Sequence, residues 1–209
     1  MIEKADLVVP VPYPVRDFSS LRRLEEIPDP LLLAHLGLYE GYVKNVNLLN
    51  QSLKKSEQGS PEWSEMKRRM GFELGGLRLH ELYFENLAPG GSDLPRTLED
   101  FLASTWGSFK HWKDEFEAVA QLRGVGWAIL YQDPAGGRLS NHWINLHEEG
   151  HPPGFTPLLV MDVWEHAFAG MNRSSYIAAF FKNLRWDCVE ARGAGALVER
   201  VLPGTRNLY

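Results

Sequence analysis

Two long stretches with apolar residues at three-and-four spacing, each opened by a proline, dominate the first half of this 209-residue chain. The first runs from Leu31 to about Lys55 as LLLAHLGLYEGYVKNVNLLNQSLKK and follows Asp29-Pro30. That pair predicts an aspartate N-cap with proline at the first helical position. The second opens at Ser60-Pro61 and runs to about Leu87, where Ala88-Pro89-Gly90-Gly91 stops it. Each helix has one apolar stripe to bury, and the polar link between them is short. An antiparallel helical hairpin is the predicted result.

Ahead of the hairpin, residues 1–29 are punctuated by Pro10, Pro12, Pro14 and Pro28 and read as an extended arm, with one helical turn near Leu21 to Glu26. Behind it, APGGSDLP marks the best domain boundary, giving an arm-and-hairpin unit over 1–90 and a second unit over 91–209. In the second unit, Thr97 to Trp106 and Ser108 to Leu122 read as helices. Gly126 to Asp133 and the RLSNHWINL run flank an Asp-Pro-Ala-Gly-Gly turn and predict a β-hairpin. Thr156 to Val163 reads as a short buried strand, and the chain is helical again from about Ser174. A helical first half and a small sheet with helices in the second half make an α+β protein.

Composition excludes several classes. The net charge of −5 offers no basic footprint for nucleic acid. The single cysteine, Cys188, rules out an internal disulfide and cysteine-rich zinc modules. No apolar run reaches the ~18 residues that a membrane-spanning helix needs. The opening MIEKADLVVPVPYP has neither the basic end nor the apolar core of a secretory leader, so a cytoplasmic protein is expected.

Chemistry concentrates on three of the seven histidines. His35 lies within LLLAHLGLYEGY of the first long helix and His80 within LRLHELYF of the second, at the same end of an antiparallel hairpin. His166 follows Asp162 by four residues, and that aspartate ends the apolar run PLLVMD. A carboxylate there is costly to bury unless it is paired or binds a cation. Three imidazoles and one carboxylate suit iron, manganese or zinc better than calcium or magnesium. The plainer readings stand beside this one: hydrogen-bonded core histidines, and Asp162 as an N-cap. His111 reads as a solvated helix face, and His142 and His151 have no patterned partner. Spacing alone identifies neither metal nor reaction.

Several strings narrow the choice. Asp162-Val163-Trp164-Glu165-His166-Ala167-Phe168 resembles the signature of iron/manganese superoxide dismutases, and His80-Glu81-Leu82-Tyr83-Phe84-Glu85-Asn86-Leu87-Ala88-Pro89 resembles that family's second-helix ligand segment. Gly107-Ser108-Phe109, Gly124-Val125-Gly126-Trp127 and Tyr42-Val43-Lys44-Asn45-Val46-Asn47 resemble further blocks, in family order, over about residues 30 to 190.

The resemblance implies a helical hairpin followed by a domain with a three-stranded antiparallel sheet. It implies one iron or manganese ion per chain, held by His35, His80, Asp162 and His166 with solvent as fifth ligand. It implies superoxide as substrate, disproportionated to oxygen and hydrogen peroxide, and assembly as a homodimer or dimer of dimers. Tyr42 would stand at the substrate funnel, Trp127 and Trp164 would wall the site, and Glu165 would reach across the dimer to the partner's His166. Gly76 leaves the first half without a residue to hydrogen-bond the bound solvent, and His147 is assigned that part. Arg78 and Arg173 are considered for a positive funnel, an ordinary surface role being the plainer reading of both.

Three departures accompany the resemblance. The His35-to-Tyr42 interval is one residue shorter than usual, consistent with a lost π-bulge. Tyr39 or a neighbour replaces a second first-helix histidine, altering the proton route. The segment after Ala167 is about three residues short and has Ala169 in place of an aromatic. A non-catalytic relative with the same fold is the alternative, and a zinc hydrolase a weaker one, since no glutamate lies between two helical histidines as in HExxH sites.

Overall fold

Pro30 and Pro61 each fall in the first turn of a helix, where a missing N–H costs nothing. In this computed structural model, which describes residues 11–198, helix α1 spans Asp29–Leu53 and α2 spans Pro61–Glu85. They pack along their length as the predicted hairpin. The α1 stripe of Leu31, Leu32, His35, Tyr39, Val43 and Val46 is buried against α2 residues that include Leu77, His80, Tyr83 and Phe84. Ser60 caps α2 by accepting the Trp63 N–H at 3.1 Å.

Asp29 is not the predicted N-cap. It is the first helical residue, Pro28 is the cap, and the Asp29 carboxylate accepts the Arg23 N–H at 2.8 Å instead. The helical turn in the arm also differs from its predicted place. A 3-10 turn forms at Ser19–Leu21, and the left-handed backbone of Arg23 (φ 68°) and Glu26 (φ 60°) prevents helix from continuing to Glu26. The first ten residues of the predicted arm, and residues 199–209, lie outside the described residues.

Helices α3, Arg96–Trp106, and α4, Phe109–Ala120, follow. Gly107 between them sits at φ 80°, which glycine adopts without steric cost. Strands β1 (Gly126–Gln132), β2 (Leu139–Asn145) and β3 (Thr156–Asp162) form an antiparallel sheet in the order β2-β1-β3. The central strand GWAILYQ is buried throughout, which explains its unbroken apolar character. Trp127 pairs with Asp162 across β1 and β3, so the carboxylate is delivered at the end of the sheet that faces the hairpin.

The helical end of the chain, expected from about Ser174, is made of two helices, α5 (Arg173–Lys182) and α6 (Trp186–Val198). Between them the backbone of Asn183 and Arg185 pairs with Ala88 and Asn86 instead of continuing the helix, and the Asn183 side chain is bound to both Glu25 N–H and Glu25 C=O in the arm. Arg192 on α6 then donates to Leu82 C=O and Glu85 on α2 and to Leu158 C=O on β3. Helix, sheet and hairpin are thereby tied together beside the site.

Candidate metal centre

Seven residues of regular α-helix turn through about 700°, which returns a side chain to within about 20° of its starting face. Helix α1 is uninterrupted α-helix, so His35 and Tyr42 share one face without a π-bulge. An eight-residue interval would need one. The short interval and the regular helix therefore explain each other, and His35 rather than Ala34 points inward.

His35 Nε2 lies 3.0 Å from Asp162 Oδ2, His166 Nε2 lies 3.1 Å from the same oxygen, and His80 Nε2 lies 3.6 Å from it. One ligand atom from each of the four residues falls within 4.8 Å of all the others. His35, His80 and Asp162 are buried, and His166 is partly buried. His166 is placed by a 3-10 turn, Glu165–Ala167, that α1 packs against.

The donor on the His80 ring is accounted for. His80 Nδ1 lies 2.6 Å from Gly76 C=O, an acceptor only, so Nδ1 carries the proton and Nε2 presents a lone pair. That Nε2 is buried with no hydrogen-bond partner. A lone pair turned toward a carboxylate oxygen in a dry site is unfavourable unless a cation lies between them. His35 could pair with Asp162 as an imidazolium, but burial outweighs that pull and holds its pKa below the ordinary value. His80 is held well below it, again by burial. Burial pushes Asp162 up, yet hydrogen bonds from His166 and His35 outweigh it, and the carboxyl stays below its usual range. The set is one carboxylate among three imidazoles, two of which, His35 and His80, are kept neutral by burial, the donor chemistry of a site that could hold iron, manganese or zinc.

Next to this cluster runs a chain of polar groups. Trp127 Nε1–H donates to His147 Nδ1 at 3.0 Å, and His147 Nε2 lies 2.8 Å from Tyr42 Oη. An indole N–H can only donate, so in the neutral imidazole the proton is on Nε2, and His147 donates to Tyr42. The Tyr42 hydroxyl proton is then free to point elsewhere. Burial lowers His147 to about 4 and raises Tyr42 to about 12. Trp164 stacks on both His147 and His166 with ring centroids 4.8 and 5.7 Å apart, and Trp127 meets His80 edge-on at 5.0 Å.

A family model for "Iron/manganese superoxide dismutases, C-terminal domain" matches residues 95–192. "Superoxide dismutase [Mn] 2" of Haloferax volcanii is 32% identical over 190 residues, covering 88% of this chain and 92% of the relative. "Superoxide dismutase [Fe]" of Aquifex aeolicus is 34% identical over 190 residues, covering 85% and 89%.

The chain belongs to the iron/manganese superoxide dismutase family.

A further relative, "Superoxide dismutase [Mn] 2" of Halobacterium salinarum, is 38% identical over 159 residues, covering 73% of this chain and 79% of the relative. Set against what family resemblance predicts, the cluster brings together His35, His80, Asp162 and His166, with Tyr42, His147, Trp127 and Trp164 beside them. Glu165 is exposed on the single chain. Tyr39 does not stand in for the missing funnel histidine. Its hydroxyl accepts the Arg16 N–H at 3.0 Å and donates to Glu81 at 3.1 Å, inside the core. Arg78 is bound to Glu81 at 2.7 Å and lies over the Tyr13 ring. Arg173 donates to the carbonyls of Leu122, Gly124 and Val163. Both hold structure together rather than lying idle on the surface.

The cation missed in the sequence is Arg69. It pairs with buried Glu73 at 2.7 Å, lies 4.2 Å above the Phe72 ring, and Phe72 in turn packs on His147 at 4.5 Å. Its positive charge lowers both Tyr42 and His147, although burial is the larger influence on each. Only the i, i+4 spacing of Arg69 and Glu73 hinted at an ordered arginine.

Proposed function

We propose that this chain is a superoxide dismutase carrying one iron or manganese ion on His35, His80, Asp162 and His166. The observation that carries the reading is the unpartnered Nε2 of His80, turned toward Asp162 among three convergent imidazoles in a member of this family. Two donors come from the 1–90 unit and two from the 91–209 unit, so the site closes only when both are in place.

Iron or manganese, when bound, supplies the one-electron couple through which two superoxide anions and two protons become dioxygen and hydrogen peroxide. The protein's residues set the conditions for it. Asp162 contributes one negative charge and, with neutral His35 and His80, accepts a cation without a buried like charge. Trp127 fixes the His147 tautomer, His147 donates to Tyr42, and the Tyr42 hydroxyl proton is left free for another acceptor. Trp164 and Trp127 exclude bulk water from one side. Arg69, half-exposed next to Phe72, gives the approach a local positive charge on a net-negative chain.

Assembly as a homodimer is part of this proposal, with exposed Glu165 reaching a second copy's His166. So is a cytoplasmic location. No helix among the described residues is long and apolar enough to cross a membrane.

Elemental analysis of protein purified without added metal, followed by a superoxide-consumption assay, tests the reading. About one iron or manganese per chain with turnover is expected, and His166→Ala should lose the metal and melt at lower temperature. Stoichiometric metal without turnover would instead identify a non-catalytic relative, and stoichiometric zinc a redox-silent one.

A further inference from the structure

We propose that His151 is a positioning residue for His147, acting through the backbone carbonyl rather than the imidazole. It rests on the reading of His147 as the partner of Tyr42. His147 sits at the tip of a tight turn after β2, closed by Asn145 N–H to Glu149 C=O at 2.9 Å and Glu149 N–H to Asn145 C=O at 3.2 Å. Leu146 just before it has φ 53°, a left-handed conformation that an L side chain with a Cβ adopts only when its surroundings enforce it.

The surroundings are specific. A Cβ on Gly75 would lie 2.3 Å from the His147 carbonyl oxygen, so the turn is pressed against α2 with no room to move inward. From the other side, His151 Nε2 lies 3.0 Å from that same oxygen. A carbonyl only accepts, so Nε2 carries the proton, and in the neutral imidazole Nδ1 is the acceptor. Tyr131 Oη, 2.6 Å from Nδ1, donates to it and holds that tautomer. Tyr131 and Trp127 are both on β1, four residues apart. The central strand therefore grips His147 twice: its ring through the Trp127 indole, and its backbone through Tyr131 and His151. A rigid backbone under the imidazole is what keeps Nε2 within 2.8 Å of Tyr42.

The experiment compares His151→Phe, His151→Gln and Tyr131→Phe in the full chain, loaded with zinc, which is redox-silent. The readout is the NMR-detected exchange rate of the Trp127 indole proton, which reports the bond to His147 Nδ1. His151→Phe should speed that exchange by about ten-fold or more, because the bond opens more often. His151→Gln should stay near the parent rate, since its amide nitrogen can replace Nε2 as donor to the carbonyl. Tyr131→Phe should give a smaller acceleration of the same sign, and it carries the test if His151→Phe does not fold. With iron or manganese, His151→Phe should lose about ten-fold in kcat at unchanged metal content.

Unchanged indole exchange in all three variants, or equal acceleration in the Phe and Gln variants, overturns the proposal even if melting temperatures fall. A parent chain without turnover would defeat the proposed function alone, because the exchange comparison needs no activity.

Discussion

The hydroxyl of Tyr42 lies 2.8 Å from Nε2 of His147, although 105 residues separate the two along the chain. One side chain comes from the first helix and the other from the turn after β2, so their bond spans the two halves of the protein beside the four convergent donors. Tyr42→Phe removes only the hydroxyl. Metal content and melting temperature should stay close to the parent, while turnover falls by about ten-fold, the lower end of what partners of metal-site groups contribute. Unchanged turnover would remove Tyr42 from the proton route.

Stability of the metal-free protein should depend on pH in a defined direction. Burial lowers His147 from 6.5 to about 4 and lowers His35 and His80 as well. Between those pH values the unfolded chain binds protons that the folded chain refuses, so stability rises with pH there and is lost as pH falls. Thermal melts should be flat above about pH 7 and move to lower temperature from about pH 6.5 downward. In His147→Gln the slope should be shallower. A parent curve that is level from pH 7 to 4 contradicts the burial of these imidazoles.

Glu165 is exposed on a single chain, although it lies within the string that carries two of the four donors. Glu165→Ala should weaken self-association before it affects folding, with the sedimentation profile shifting toward monomer at micromolar concentration. A profile identical to the parent's would place the dimer contact elsewhere.

Arg69 is ion-paired to Glu73 yet half-exposed, the arrangement expected of a fixed charge that an approaching anion can sense. In the parent, kcat/KM should fall as salt is added. Arg69→Gln should lose about ten-fold at low ionic strength and much of the salt dependence, with Arg69→Lys restoring both. The same salt slope in the Gln variant would show that steering does not come from this residue.

The features legible in the sequence were those governed by local periodicity. The proline-opened helices, the three strands to within about a residue at each end, and the inward face shared by His35 and Tyr42 all follow from spacing along one element. What escaped depends on partners distant in the chain. Asp29 looked like a cap because its neighbourhood is that of a cap, but the arm's Arg23 N–H claims its carboxylate. The helical end of the chain showed no division, whereas Asn183, between α5 and α6, is held by Glu25. His151 showed no pattern for the same reason: its two partners, Tyr131 and the His147 carbonyl, are brought to it by the sheet and a turn, not by spacing.

The convergence of α1, α2, β3 and the following 3-10 turn also has a consequence for biosynthesis. While the ribosome is still adding the second half, the hairpin can already form with His35 and His80 on offer, but Asp162 and His166 have yet to emerge. An ion captured then would be held by half its shell. Complete chelation has to wait until the nascent chain has left residue 166 behind, which makes loading a late event that staples the earlier-made hairpin to the later-made sheet.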